Sequence, residues 1–320
     1  MSDIHAGSRI SPVKNVIGSG MRRSRFAVYE WNAWKDYGIQ VWRPRAYRIE
    51  ANPKDEVSEV LARVKPRTRD FLVHLNLSRQ AAFPQQRSEL IAALRQKGIR
   101  VWNANVSDIT KRRVQAECKR LGLPSTGATR AGNPDEKLIL KSNCNHGGVN
   151  ELLLDQETRA QMGLPPVSTL VDGNLEYPIK PRSSMTDEWE DRGLAIERLI
   201  ENARGVFYRA YLVCGRLVIS RFVQPDTESP VKRFKGVFKR DNFHYEDCSR
   251  LLESPDTDDE LSPGLKTVVA SFVDGIQLDY GALDVVADDD ENFYVIDLNI
   301  TPYWGAPGQP KMTKFLRQES

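Results

Sequence analysis

The spacing of apolar residues changes several times along the chain, and each change predicts an element. Near the start, "RFAVYEW", "IQVWRP" and "DFLVHLNLS" are short apolar runs of strand character. In "PQQRSELIAALRQKG" the residues Leu90, Ile91 and Leu94 form a helical stripe. Pro84 lies near its start, Gly98 sits where a C-terminal cap belongs, and strand-like "IRVW" follows. Strand, helix and strand in that order predict a parallel crossover. In "SDITKRRVQAECKRLGLP" Val114, Cys118 and Leu121 share one helical face, and Gly122 and Pro124 end the helix. That position makes Cys118 a core residue and not a nucleophile.

From about residue 135 the apolar runs carry polar residues at their ends. "EKLILK" delivers Lys141 into a loop holding Cys144, His146, Gly147 and Gly148. "GLAIERLI" is a strand leading through Glu197 toward Glu201, and the next two runs turn at Cys214-Gly215, with Phe207, Arg209, Tyr211 and Val213 on one face. "SPGLKTVVASFVDG" is a helix started by Ser262 and Pro263, with Leu265, Val268, Val269 and Phe272 as its apolar face. Finally "ALDVV" and "FYVIDLN" flank the polar turn "ADDDEN". No internal repeat is visible.

With 46 basic and 43 acidic residues the chain has a formal charge of +3, close to balanced for its length, which gives no global argument for nucleic acid or membrane surfaces. No apolar run approaches a membrane-spanning length, and the N-terminal "MSDIHAGSRISPVKNVIGSGMRRSR" lacks the apolar core of a signal peptide. These features predict a cytoplasmic protein. The four cysteines have neither metal spacing nor a disulfide framework, so reduced thiols are expected. One basic and aromatic cluster, "PVKRFKGVFKR", suits a small anionic ligand or a solvated loop better than nucleic acid.

The chemistry concentrates near the C-terminus. Asp297 and Asn299 lie two apart on a strand and share a face, and one register of the hairpin sets Asp284 across from Asp297. Facing like charges repel unless compensated, and a hard divalent cation with oxygen ligands is a natural compensation. The plainer reading leaves both acids solvated and has Asn299 start a turn before Pro302. Alternation groups Phe293, Val295 and Asp297 against Tyr294, Ile296 and Leu298, which puts the acid beside apolar neighbours and favours the site. Lys141 at a strand end before a glycine loop can present an ammonium and backbone N–H groups to phosphate, although the lysine precedes the glycines, unlike in a P-loop. Arg209 needs an anion, either Asp284, Asp297 or a phosphate, unless it reaches solvent at a sheet edge.

The order of these elements resembles the ATP-grasp superfamily over roughly residues 100 to 305, and "YVIDLNITP" is the most specific segment. The resemblance implies an α/β (α+β) ATP-grasp fold with a small strand-helix-strand pre-grasp domain. It divides the chain into a flexible segment 1–25, a pre-grasp domain 26–106, a two-lobed grasp domain 107–310 and a tail 311–320. It implies ATP and Mg²⁺ as cofactors and a ligase that activates a carboxylate as an acyl phosphate for attack by an amine, both small molecules. A grasp-fold kinase and a nucleotide-binding domain without turnover are the alternatives.

By the same resemblance Lys141 contacts the α/β-phosphates, and His146, Gly147 and Gly148 cover the triphosphate. Glu197, Arg198, Leu199 and Ile200 hold adenine through their backbone, and Glu201 holds the ribose. Arg209 stabilises the transferring group. Asp284, Asp297 and Asn299 hold Mg²⁺, with Asp297 where the family often has glutamate. Members often dimerise, which leaves a homodimer open. An earlier ATP-binding lysine has no evident counterpart, and Arg130 is the nearby cation on offer.

Overall fold

The computed structural model describes residues 25–31, 37–80, 83, 86–164, 177–223, 243–247, 261–302 and 310–317. The basic cluster at 231–240, Cys248 and the segment 1–24 lie outside them.

The first part of the chain runs β1 (Phe26–Trp31), α1 (Tyr37–Trp42), β2 (Tyr47–Glu50), α2 (Val57–Arg63), β3 (Asp70–Leu75), α3 (Arg87–Gln96) and β4 (Arg100–Trp102). Its strands form a parallel sheet in the order β2-β1-β3-β4, so the crossover expected across α3 is present. Leu90, Ile91 and Leu94 face its core, and Gly98 takes the left-handed conformation (φ +71°) past the end of α3, where a Cβ would be strained. "IQVW", expected as a strand, is instead the helix α1, with Ile39 and Trp42 buried one turn apart. A run this short carries no period that separates strand from helix.

The second part runs α4 (Lys111–Arg120), β5 (Lys137–Ser142), α5 (Gln156–Gln161), β6 (Ile179–Pro181) and β7 (Leu194–Arg198), with the three strands antiparallel in the order β6-β5-β7. One face of this sheet buries Leu138, Leu140, Leu194 and Ile196 against Met185, with Trp189 packed alongside. The other face carries Lys141 and Glu197.

The third part runs β8 (Val206–Val213), β9 (Arg216–Val223), β10 (Phe243–Asp247), α6 (Pro263–Ile276), β11 (Tyr280–Ala287), β12 (Phe293–Asn299) and α7 (Pro310–Arg317), the last lying in the segment set apart as a tail except for its first residue. The strands form an antiparallel sheet in the order β10-β9-β8-β11-β12. The β8–β9 hairpin turns at Cys214 (φ +54°) and Gly215 (φ +79°), the pair of positive φ values that a tight two-residue turn requires. Ala210, Leu212, Leu217, Ile219, Leu283 and Val285 pack on α4 and α6, where Val114, Cys118, Leu265, Val269 and Phe272 are buried.

The opposite face of the five-stranded sheet meets the parallel sheet. Tyr211, Val213, Tyr280 and Ala282 share a core with Val28, Trp42, Leu72 and Trp102, and the Trp42 and Tyr280 rings stack at 5.5 Å. Asn103 fastens this junction: its Nδ2 donates to the Tyr280 carbonyl (2.8 Å), and its Oδ1 accepts the Asp279 and Tyr280 amides (3.0 Å each). Such a fully buried amide is satisfied only if both sheets keep this placement. Among the described residues no helix is long and apolar enough to cross a membrane.

Candidate active site

Past Tyr211 and Ala282 the face shared with the parallel sheet turns from apolar to charged. Asp284 pairs with Arg209 on β8 and with Asp297 on β12, so the facing acids expected from the hairpin are present. What puts them opposite each other is a β-bulge. Val285 pairs with Val295, the register shifts at the next step, and Ile296 is the extra residue. One inserted residue reverses the side-chain parity of a strand. Phe293 and Val295 therefore lie in the core against α4 and α6 while Asp297 faces the cleft, a correction to the alternation that grouped them. The Val295 carbonyl beside the bulge accepts from Gln115 Nε2 of α4 (2.9 Å), and the Leu298 carbonyl accepts from Asn145 Nδ2 of the glycine loop (2.8 Å). These side chains satisfy carbonyls on an edge strand.

Each acid of the pair has its own cation. Arg209 Nη1 lies 3.4 Å from both oxygens of Asp284. Lys111 Nζ lies 3.8 Å from Asp297 Oδ1, and it also donates to Asn145 Oδ1 (3.3 Å) and the Cys144 carbonyl (3.4 Å). Lys111 is buried at the first position of α4, so one ammonium ties the helix to both the glycine loop and the bulged strand. Burial raises the Asp297 carboxyl above the ordinary carboxylate range. Lys111 acts against that shift, Asp284 adds to it, and Lys141 and Arg209 oppose it from further off. All four charges thus act on one carboxylate.

Lys141 comes from the other wall. It lies toward a strand end, as expected, but is buried, and its Nζ donates to Glu197 Oε2 at 2.7 Å. Thr126 Oγ1 donates to the same oxygen (2.9 Å). Glu197 Oε1, in a side chain 1% exposed, has no hydrogen-bond partner among the described residues. Along the segment expected to hold adenine, the Arg198 amide is already bonded to the Thr126 carbonyl (2.7 Å) and the Leu199 amide to the Lys137 carbonyl (3.0 Å). Glu201 is exposed.

The glycine loop is a 3-10 turn over Asn145–Gly148 in which His146, Gly147 and Gly148 all have positive φ (+48°, +68° and +81°). Three consecutive positive φ values make a tight left-handed turn, which glycine at two of the three positions adopts without strain. Its anchors are the Asn145 amide bonded to Ser78 Oγ (2.8 Å) and Glu151, whose Oε1 accepts the Ser78 amide (2.6 Å). Asn299 ends β12, and its Oδ1 accepts the Thr301 amide (3.0 Å), so the turn foreseen in the plainer reading exists beside the acids.

Two residues of this site were not legible in the sequence. Lys111 opens an amphipathic helix, where a lysine ordinarily faces solvent, and only its burial exposes its place. Tyr177 lies two residues before β6, and continuing the β5–β6 register sets it opposite Lys141. Burial, and after it the Asp297 charge, raises its phenol above the ordinary value. Arg130 is not in this group: it is exposed and pairs with Glu190 at 2.8 Å.

Among the described residues no three His, Cys, Asp or Glu side chains converge. A metal here would take two facing carboxylates, a carboxamide and oxygens of a ligand. That all-oxygen set fits Mg²⁺ and not a thiolate- or imidazole-seeking ion. Two cavities of about 550 and 560 Å³ lie on the far side, around the C-terminal end of α6, and contain none of these groups.

No family model and no curated protein matches the sequence. Solved structures do. The chain is similar to the ATP-grasp ligase PsnB complexed with a minimal precursor, at 14% identity over 87% of this chain and 91% of that one, with a TM-score of 0.46. It is similar to the macrocyclase MdnC bound with precursor peptide MdnA from Microcystis aeruginosa MRC, at 11% identity over 91% and 98%, TM-score 0.45. It is also similar to a Chryseobacterium gregarium RiPP-associated ATP-grasp ligase in complex with ADP and a leader and core peptide, at 11% identity over 92% and 96%, TM-score 0.48.

Proposed function

We propose that this chain is an ATP-grasp enzyme of the ligase type, which uses ATP and Mg²⁺ to activate a carboxylate as an acyl phosphate for attack by an amine. The observation that carries this reading is the convergence of Lys111, Lys141, Arg209, Asp284 and Asp297, from two sheets and a helix, on one cleft beside a glycine loop. Phosphoryl transfer depends on positioning and charge neutralisation more than on covalent catalysis, and a cleft with three cations is suited to it.

In this reading Lys141 and Lys111 bind phosphate oxygens, and His146, Gly147 and Gly148 close over them. The strand from Glu197 through Arg198 and Leu199 to Ile200 borders the base. With two of its amides engaged, the open Glu197 Oε1 is the acceptor for an exocyclic amine. Glu201 binds the ribose hydroxyls. Arg209 steadies the transferred group against Asp284. Asp284, Asp297 and Asn299 hold Mg²⁺, which neutralises phosphate charge when bound. The buried walls keep water from the activated carboxylate. Residues 26–106 are assigned as the pre-grasp domain and 107–310 as the grasp domain, and the free cysteines Cys118, Cys144 and Cys214 suit a cytoplasmic enzyme.

The test is product analysis with Mg²⁺ and ATP over a panel of amino acids, small acids and peptides. A ligase releases ADP and inorganic phosphate together with a condensed product. ADP with a stable phosphorylated acceptor and no free phosphate would make the chain a kinase instead, and nucleotide binding without either product would make it a non-catalytic domain.

A further inference from the structure

Asn299, the carboxamide assigned to the metal, does not stand alone at its strand end. Its Oδ1 is held by the Thr301 amide at 3.0 Å, and the Thr301 hydroxyl in turn bonds Asn76 Oδ1 at 2.9 Å. Asn76 belongs to the parallel sheet. It directly follows β3, and its amide donates to the Trp31 carbonyl at the end of β1 (3.3 Å). The relay therefore spans 225 residues of sequence and joins the carboxyl ends of two parallel strands to the end of the metal-bearing strand. Loops at those strand ends are where parallel sheets commonly meet ligands.

We propose that Asn76 and Thr301 are positioning residues that aim Asn299 at the divalent cation, so that the parallel sheet sets metal affinity. The inference rests on the metal reading of Asp284, Asp297 and Asn299. Its physical basis is that groups bonded to a metal ligand fix its orientation, and losing them typically weakens metal binding by about 10- to 100-fold. Thr301 links Asn76 to Asn299 through these bonds, and a β-branched residue without the hydroxyl keeps the backbone shape while cutting the bond to Asn76.

The experiment is Mn²⁺ binding to the full chain in the presence of ADP, followed by paramagnetic resonance, for wild type, Asn76→Ala, Thr301→Val, Thr301→Ser and Asp297→Asn. Metal-free melting is measured on the same samples. Thr301→Val and Asn76→Ala are expected to raise the Mn²⁺ dissociation constant about tenfold with little change in metal-free melting, and Thr301→Ser to restore it. If both variants bind Mn²⁺ like wild type while Asp297→Asn does not, the relay is wrong and the metal site stands. If they lose melting temperature and keep metal affinity, the two residues are structural only. If Asp297→Asn binds Mn²⁺ as wild type does, the metal reading fails and takes the relay with it.

Discussion

The two walls of the cleft hold their charges differently. On the small sheet Lys141 and Glu197 meet at 2.7 Å, both almost wholly buried, with Thr126 adding a bond to the shared oxygen. On the large sheet the pairs are looser, 3.4 Å for Arg209 with Asp284 and 3.8 Å for Lys111 with Asp297, and Asp297 keeps 29% of its side chain exposed. A tight buried pair is a fixed part of the wall, whereas long and partly open pairs leave oxygens able to take another partner. The small sheet thus offers a preset ammonium and one further carboxylate oxygen, Glu197 Oε1, and the large sheet carries the carboxylates proposed to exchange a cation for a metal.

The strongest way to break this comparison is to unpair the sealed couple. Glu197→Ala leaves the Lys141 ammonium buried without its carboxylate and is expected to lower stability in urea unfolding by about 3–5 kcal/mol. Lys141→Met, which leaves the Glu197 charge, should cost a similar amount, and the double variant Lys141→Met/Glu197→Ala clearly less than the sum. Single losses below about 1 kcal/mol, the range of exposed pairs, would show that the couple is not sealed.

A smaller effect is expected at Lys111. Lys111→Met removes two bonds to the glycine loop and the partner of Asp297, and a loss of about 1.5–3 kcal/mol is expected, since hydrogen bonds to charged groups fall in that range. ATP affinity should fall as well, read by isothermal titration with Mg²⁺ present. Unchanged affinity would return Lys111 to a structural role.

The smallest effect is expected at a partly exposed pair beside the same small sheet, Lys180 of β6 with Glu188 of a following 3-10 turn. The Lys180 hydrogen bond, with the Thr186 amide, holds the Glu188 carboxyl at about 2. A depressed folded value means a contribution that is complete above the ordinary glutamate range and lost as pH falls toward about 2. Melting curves of wild type and Glu188→Gln should differ slightly at neutral pH and converge in acid. A difference that grew with acidification would reverse the sign of this interaction.

How much of this was legible in the sequence follows from what each signal depends on. The helices α4 and α6 were readable because Val114 with Cys118, and Leu265 with Val268, Val269 and Phe272, repeat over several turns and have Gly or Ser-Pro punctuation. The hairpins were readable from Cys214-Gly215 and "ADDDEN". The facing of Asp284 and Asp297 was readable only as one register among several, and the bulge at Ile296 that produces it leaves no mark on an alternating strand. α1, β2 and α2 are too short for a period to appear. Lys111 was hidden because its burial is created by the glycine loop and β12, which lie 34 and 186 residues away for Asn145 and Asp297. Arg130 is close to the site only in sequence, and tertiary structure pairs it with Glu190 instead.

The central claim is that the looser wall binds metal together with ATP, and a single melting experiment addresses it. Wild type and Asp297→Asn are melted with no additions, with ATP and excess chelator, and with ATP and Mg²⁺. Because burial raises the folded Asp297 carboxyl, its ionised form costs the fold stability at neutral pH, so the neutral isostere should melt level with wild type or above it when metal is absent. The account predicts a magnesium-dependent ATP shift in wild type that disappears in Asp297→Asn. Equal shifts with magnesium and with chelator, or a variant that loses metal-free stability yet keeps the full magnesium-dependent shift, would contradict it.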